Sequence, residues 1–113
     1  MSAYEVPNLR FSEVAGTNLA RRRLVTVNTS GELVYAGAES KQILGATLID
    51  AKAKETVSVA DGIVIVEAED AITMGSEVEL GTDGKVKAKA MGTGIAVALT
   101  ASSGAGNFIS IKL

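Results

Sequence analysis

From Leu24 onward, apolar residues come in short runs rich in Val, Ile and Leu, and the runs are separated by glycine-bearing corners. The pattern predicts strands at Leu24–Val27, Glu32–Ala36, Ala46–Ile49, Thr56–Val59, Ile63–Ala68, Glu77–Leu80, Lys85–Ala90, Ile95–Leu99 and Phe108–Leu113. In the last of these, Ile109, Ile111 and Leu113 alternate with Ser110 and Lys112, the period of a half-buried strand. Short helices are conceivable at Ala36–Gln42 or Asp50–Glu55, both too brief to organise a fold. Residues 1–20 contain the only proline and no sustained period, so they read as an extended N-terminal arm or irregular lead-in to a single β domain over 21–113.

Three corners share one form: Thr29-Ser30-Gly31, Ala60-Asp61-Gly62 and Thr82-Asp83-Gly84. Each predicts a hairpin with a three-residue loop, because glycine accepts a left-handed backbone and Ser or Asp before it can hydrogen-bond the chain locally. Loop length fixes register. At the third corner Leu80 then faces Val86 and Val78 faces Ala88, while Glu79 meets Lys87 and Glu77 meets Lys89 on the reverse. The first corner pairs Val27 with Leu33 and Val25 with Tyr35; the second pairs Val59 with Ile63 and Val57 with Ile65.

A shift of 53 residues lays the second half over the first: Gly31 falls on Gly84 and Leu33 on Val86. Ile43–Leu48 resembles Gly94–Leu99, and Thr56–Val59 resembles Phe108–Ile111 after a one-residue insertion. The internal repeat, approximately 24–59 and 77–113, is a hairpin, a Gly/Ala-rich strand, a turn and a strand. The expected fold is mostly β: a small β-barrel or β-tulip-like domain built from two hairpin-containing repeats, whose closure removes free sheet edges.

Composition changes this picture in one respect. Hydrophobic residues make up 47% of the 113 residues but aromatics only 4%, with no Trp, so a core made of small pieces is expected, with additional burial between subunits. The absence of Cys and His removes the commonest nucleophiles, general bases and transition-metal ligands. Glu67, Glu69 and Asp70 form the densest acidic cluster, but it lacks the spacing of a calcium loop and reads as a solvated face. Met91-Gly92-Thr93-Gly94 lacks the Gly-Lys-Ser/Thr of a phosphate loop, and Lys85, Lys87 and Lys89 have glutamates opposite and no interleaved aromatics. No catalytic, cofactor or metal residues are therefore expected, nor a nucleic-acid partner. The start shows no basic region followed by an apolar run, and no apolar stretch is long enough to span a bilayer, so no membrane partner is expected either.

The net charge of −2 is uneven. Arg10, Arg21, Arg22 and Arg23 outweigh Glu5 and Glu13 up to residue 23, leaving −4 on the rest. Arg21–Arg23 reads either as a solvated lead-in to the first strand or as a docking point for an acidic partner, since Arg pairs bidentately with carboxylates.

Taken together, Leu24-Val25, Gly31–Val34, Ile43–Ala46, Thr56–Val59, Ala71–Val78, Asp83–Val86, Gly94–Thr100 and Ile109–Ile111 resemble, in order and spacing, the small capsid cement (head decoration) proteins of tailed bacteriophages and prophages. The chain departs from that family at Ser76, where an acidic residue is usual, and at Arg21–Arg23, where a glycine precedes the first strand. The resemblance implies a non-enzymatic, structural protein of the virion capsid surface, assembled in the host bacterial cytoplasm. It implies binding to the major capsid protein on the outside of the mature head and self-association as a homotrimer at threefold or quasi-threefold positions. Candidate contact residues are Asn8, Leu9, Arg10 and Phe11 on the arm, with Arg21, Arg22 and Arg23. The alternative is a stand-alone β-barrel binding module for carbohydrate or peptide, for which Tyr4, Phe11, Tyr35 and Phe108 are few and scattered aromatics.

Overall fold

A computed structural model describes residues 6–37, 42–90, 92 and 94–113. Among the described residues, nine strands form one antiparallel sheet: β1 (Val6–Val14), β2 (Leu24–Val27), β3 (Leu33–Tyr35), β4 (Gly45–Thr47), β5 (Thr56–Glu67), β6 (Glu77–Leu80), β7 (Val86–Ala88), β8 (Ala96–Ala98) and β9 (Phe108–Lys112). The order is β3-β2-β4-β5-β9-β8-β6-β7, with β1 added on β5. The fold is barrel-like, because the outer edges of β3 and β7 are met again by parallel bridges, Ala15 to Leu33 and Ala68 to Val86.

Two of the three predicted hairpins form in the expected register. Val25 pairs with Tyr35 and Val27 with Leu33; Val78 pairs with Ala88, Glu79 with Lys87 and Leu80 with Val86. Gly31 and Gly84 close them with φ of 78° and 74°, the left-handed conformation the loops require. The hairpin expected at the second corner does not form. Ala60-Asp61-Gly62 lies inside β5, which runs unbroken from Thr56 to Glu67. Its first part pairs with β1 and β4 and its second with β9, so long-range partners on both edges leave Val57 and Val59 no reason to fold back on Ile63 and Ile65. Gly62, at φ 104°, instead marks a bend opposite the register shift between Pro7 and Leu9 of β1.

The stretch at Asp50–Glu55 is a turn closed by Glu55 N donating to the Lys52 carbonyl at 3.0 Å, not a helix. Part of Ala36–Gln42, and Met91 and Thr93 of the glycine-rich stretch, lie outside the described residues. The lead-in without a period is, over Val6–Val14, a strand antiparallel to β5.

The strand order reads the same from both ends once β2 is matched with β6, β3 with β7, β4 with β8 and β5 with β9. The equivalence extends upstream of the residues from which the repeat is read. Gly16 N donates to Leu33 O, and Glu69 N to Val86 O, each at 2.8 Å. Leu19 bridges Ala51 as Ile72 bridges Ser102. Left-handed residues recur in step: Arg22 (φ 60°) with Gly75 (85°), and Lys54 (75°) with Gly106 (87°). Pairing Val14 with Thr56 is repeated by pairing Glu67 with Phe108, so the second half of β5 plays in unit two the part that β1 plays in unit one. β5 is long because it is two strands fused, the last of one unit and the first of the next.

The core repeats too. Ala15, Leu19, Val25, Leu33, Val57 and Val59 fill the first unit; Ala68, Ile72, Val78, Val86, Ile109 and Ile111 fill the second at matching positions. The second cluster also takes in Leu24, Ala36, Ala46 and Ala60 from the first unit, all at most 1% exposed, so the units share a dry joint. Each fully buried Val, Leu or Ile contributes about 1.5–3 kcal/mol.

Candidate functional site

The arginine run lies at this joint, just before β2. Arg21 is exposed, and its backbone N–H donates to Asp50 Oδ1 at 2.7 Å. Arg22 N donates to the Thr47 carbonyl at 2.8 Å, and the Arg22 carbonyl accepts from Glu67 N at 2.9 Å, tying the first unit to the second. Thr47 braces the turn with its hydroxyl, which donates to the Ala20 carbonyl at 2.8 Å and accepts from Arg23 N at 3.2 Å. The run therefore has a fixed backbone on which side chains are displayed.

Arg23 is turned inward. Its Nη1 donates to the Asp83 carbonyl at 3.1 Å and its Nη2 to Glu67 Oε1 at 3.2 Å, across the joint, while its guanidinium carbon sits 5.9 Å from the Tyr35 ring centroid. Glu67 also lies 4.0 Å from Lys85 Nζ. Arg23 is a clasp between units. Arg22 differs: at φ 60° a non-glycine residue costs about 1–2 kcal/mol, and its counterpart in the second unit is Gly75. Lys54, strained alike where its counterpart is Gly106, uses its side chain in a 2.6 Å ion pair with Glu32. That pair holds the Glu32 carboxyl below the usual carboxylate range, chiefly through the hydrogen bond from Lys54.

Arg21 and Arg22 rim a cleft of about 300 Å³ whose other walls are Leu48, Ile65 and Phe108. Phe108 is 45% exposed there. Sequence reasoning picked out the two arginines but not the apolar walls; the available signal was an aromatic residue opening the final strand. Among the described residues the cleft has cations and an aromatic surface but no titratable pair arranged for proton transfer.

Asn8, Leu9, Arg10 and Phe11 lie in β1, where the backbone of Leu9, Arg10 and Phe11 pairs with Asp61, Ala60 and Val59 and Asn8 falls at the register shift; their side chains lie outside the described residues. The Arg22 carbonyl meets β5 six residues further on, at Glu67, so the two candidate segments stand about 20 Å apart along that strand. They are two separate patches.

The acidic cluster has structural duties. Glu69 Oε1 accepts from Thr82 N at 2.6 Å, Asp70 Oδ1 from Ala88 N at 3.3 Å, and Glu67 holds Arg23. Among the described residues no group of carboxylates is disposed to hold a metal ion.

A family model described as "Phage cement protein" matches residues 8–113. Among solved structures, the N base of head fiber gp8.5 in bacteriophage phi29 is similar, with a TM-score of 0.75 and 18% sequence identity over 93% of this chain and 92% of that one. At that identity the likeness is one of fold. The search of curated proteins returned no match.

Proposed function

The chain belongs to the phage cement protein family, and from that membership we propose that it decorates the outside of the mature phage head and stabilises it without catalysis. The observation that carries the reading is the family match across almost the whole chain, on a fold in which the buried hydroxyls of Thr100 and Ser102 serve hydrogen bonds within the fold. The mechanism is mass action. A ligand that binds the expanded lattice, and not the immature or ruptured one, lowers the free energy of the first relative to the others.

In this reading the partner is the major capsid protein and the protein acts as a homotrimer at threefold or quasi-threefold positions on the virion. Two patches make the contact: the β1 segment Asn8–Phe11, and the cleft rim of Arg21 and Arg22. Arg23 contributes indirectly, by holding the joint beneath that rim. Support for Arg22 comes from its place: with Arg21 it rims the cleft beside Leu48, Ile65 and the exposed Phe108.

Cryo-microscopy of heads with and without the protein tests the reading, with added density expected at threefold positions and a higher temperature for DNA release. Heads that neither gain density nor gain stability would reject it. A truncation of residues 2–20 is a poor probe of the contact, because it removes β1 and the buried Ala15 and Leu19. Charge reversal at Arg21 is the sharper one.

A further inference from the structure

The two units meet through surfaces whose repeat-equivalents lie on the outside of the molecule. On the first unit the docking surface is Arg22–Leu24 with Ala36, Ala46 and Ala60; its equivalents on the second unit are Gly75–Glu77 with Lys89, Val97 and Lys112. On the second unit the receiving surface is Glu67, Leu80 and the Thr82–Gly84 turn, with equivalents Val14, Val27 and Thr29–Gly31 on the first. Among the described residues, one half of a joint is thus left unused at each end of the molecule.

These unused halves carry exposed apolar residues. Val27 and Val97 are 43% and 41% exposed, whereas their counterparts inside the joint, Leu80 and Ala46, are 8% and 0% exposed. Val14, the equivalent of Glu67, is exposed, and so is Met74 beside Gly75. The docking half also carries exposed Lys89 and Lys112 beside Glu77.

We propose that copies of this chain associate head to tail, the Met74/Val97 surface of one second unit seating on the Val14/Val27 surface of another copy's first unit, as the units seat within the chain. The contact is heterologous: each copy offers both halves, and the two halves differ. This deepens the self-association in the decoration reading and rests on it for a place on the head, though not for the surfaces involved.

Sedimentation velocity across the micromolar range reads the association of the wild type, Val27→Asp and Val97→Asp, with thermal melts confirming that each variant folds. Each substitution places an unpaired carboxylate in the contact and is expected to weaken association by about tenfold or more. Mixing the two variants regenerates one intact joint, from Val97→Asp as receiver and Val27→Asp as docker, and is expected to give a dimer that grows no further. Val27→Ser and Val97→Ser replace any aspartate variant that does not fold. A wild type that stays monomeric, two variants that associate normally, or a single variant that abolishes association while the other has no effect, would each overturn the proposal. Co-sedimentation with heads is scored separately: a monomer that still binds heads sinks the head-to-tail contact and leaves decoration standing, and an associating chain that ignores heads does the reverse.

Discussion

Gly31→Ala and Gly84→Ala make a matched pair, because the two glycines hold the same place in the two hairpins with nearly the same φ, 78° and 74°. A methyl at either position costs about 1–2 kcal/mol for the left-handed backbone, offset in both by the smaller entropy of the unfolded chain, about 0.4–1 kcal/mol. Their surroundings differ. A Cβ at Gly31 meets nothing within 4 Å, whereas one at Gly84 would stand 2.5 Å from the Leu24 carbonyl oxygen and 3.0 Å from its nitrogen. Those are backbone atoms at the joint, so relief requires the units to part, and overpacking of that kind adds about 1–3 kcal/mol. The difference between the variants is therefore about 1–3 kcal/mol, or about 4–12 °C in melting temperature at roughly 4 °C per kcal/mol for a chain of this size. Thermal melts followed by circular dichroism measure it. Equal losses in the two variants would refute the close-packed joint.

Arg23→Met removes both bonds across the joint while keeping much of the side-chain bulk over Tyr35, and urea denaturation is expected to show a loss of about 1–3 kcal/mol. Arg22→Gly gives opposed readouts: the fold gains up to about 1 kcal/mol from relief of the left-handed backbone, while binding to heads falls; unchanged head binding would remove Arg22 from the contact. Lys54→Met lets the Glu32 carboxyl rise toward its ordinary value, as carboxylate NMR titration would show. Because the folded-state value is depressed, the Glu32–Lys54 pair stabilises the fold above the unfolded-state pKa of Glu32 and that contribution is lost as pH falls through the folded value; the variant's stability is expected to vary less with pH across that window.

Local letters sufficed where local physics decided. Thr29-Ser30-Gly31 and Thr82-Asp83-Gly84 gave hairpins in the expected register because the strands flanking each corner have each other as nearest partners. Ala60-Asp61-Gly62 carries the same signal and failed, since what its flanks pair with is written at residues 6–14 and 108–112. Asp61 Oδ1 still accepts from Gly62 N at 2.8 Å, so the local chemistry of a corner survives inside a strand without turning the chain. The repeat was visible through Gly31 and Gly84, yet its upstream part was not: Ala15 and Leu19 match Ala68 and Ile72 in an otherwise aperiodic stretch, a correspondence that emerges from their shared bridges. At the candidate site, sequence found the charge of Arg21–Arg23 but not its division of labour. Whether a guanidinium faces solvent or a neighbouring unit depends on Glu67 and Asp83, 44 and 60 residues away.

The fused strand β5 has a mechanical consequence. Two units strung on a flexible tether would swing independently and yield one at a time under load. Here a pull along β1 is carried by hydrogen bonds to β5 in shear, and β5 passes it through its own backbone into β9, so tension is shared rather than concentrated at a hinge. Two units that share a backbone gain that stiffness with no extra length of chain.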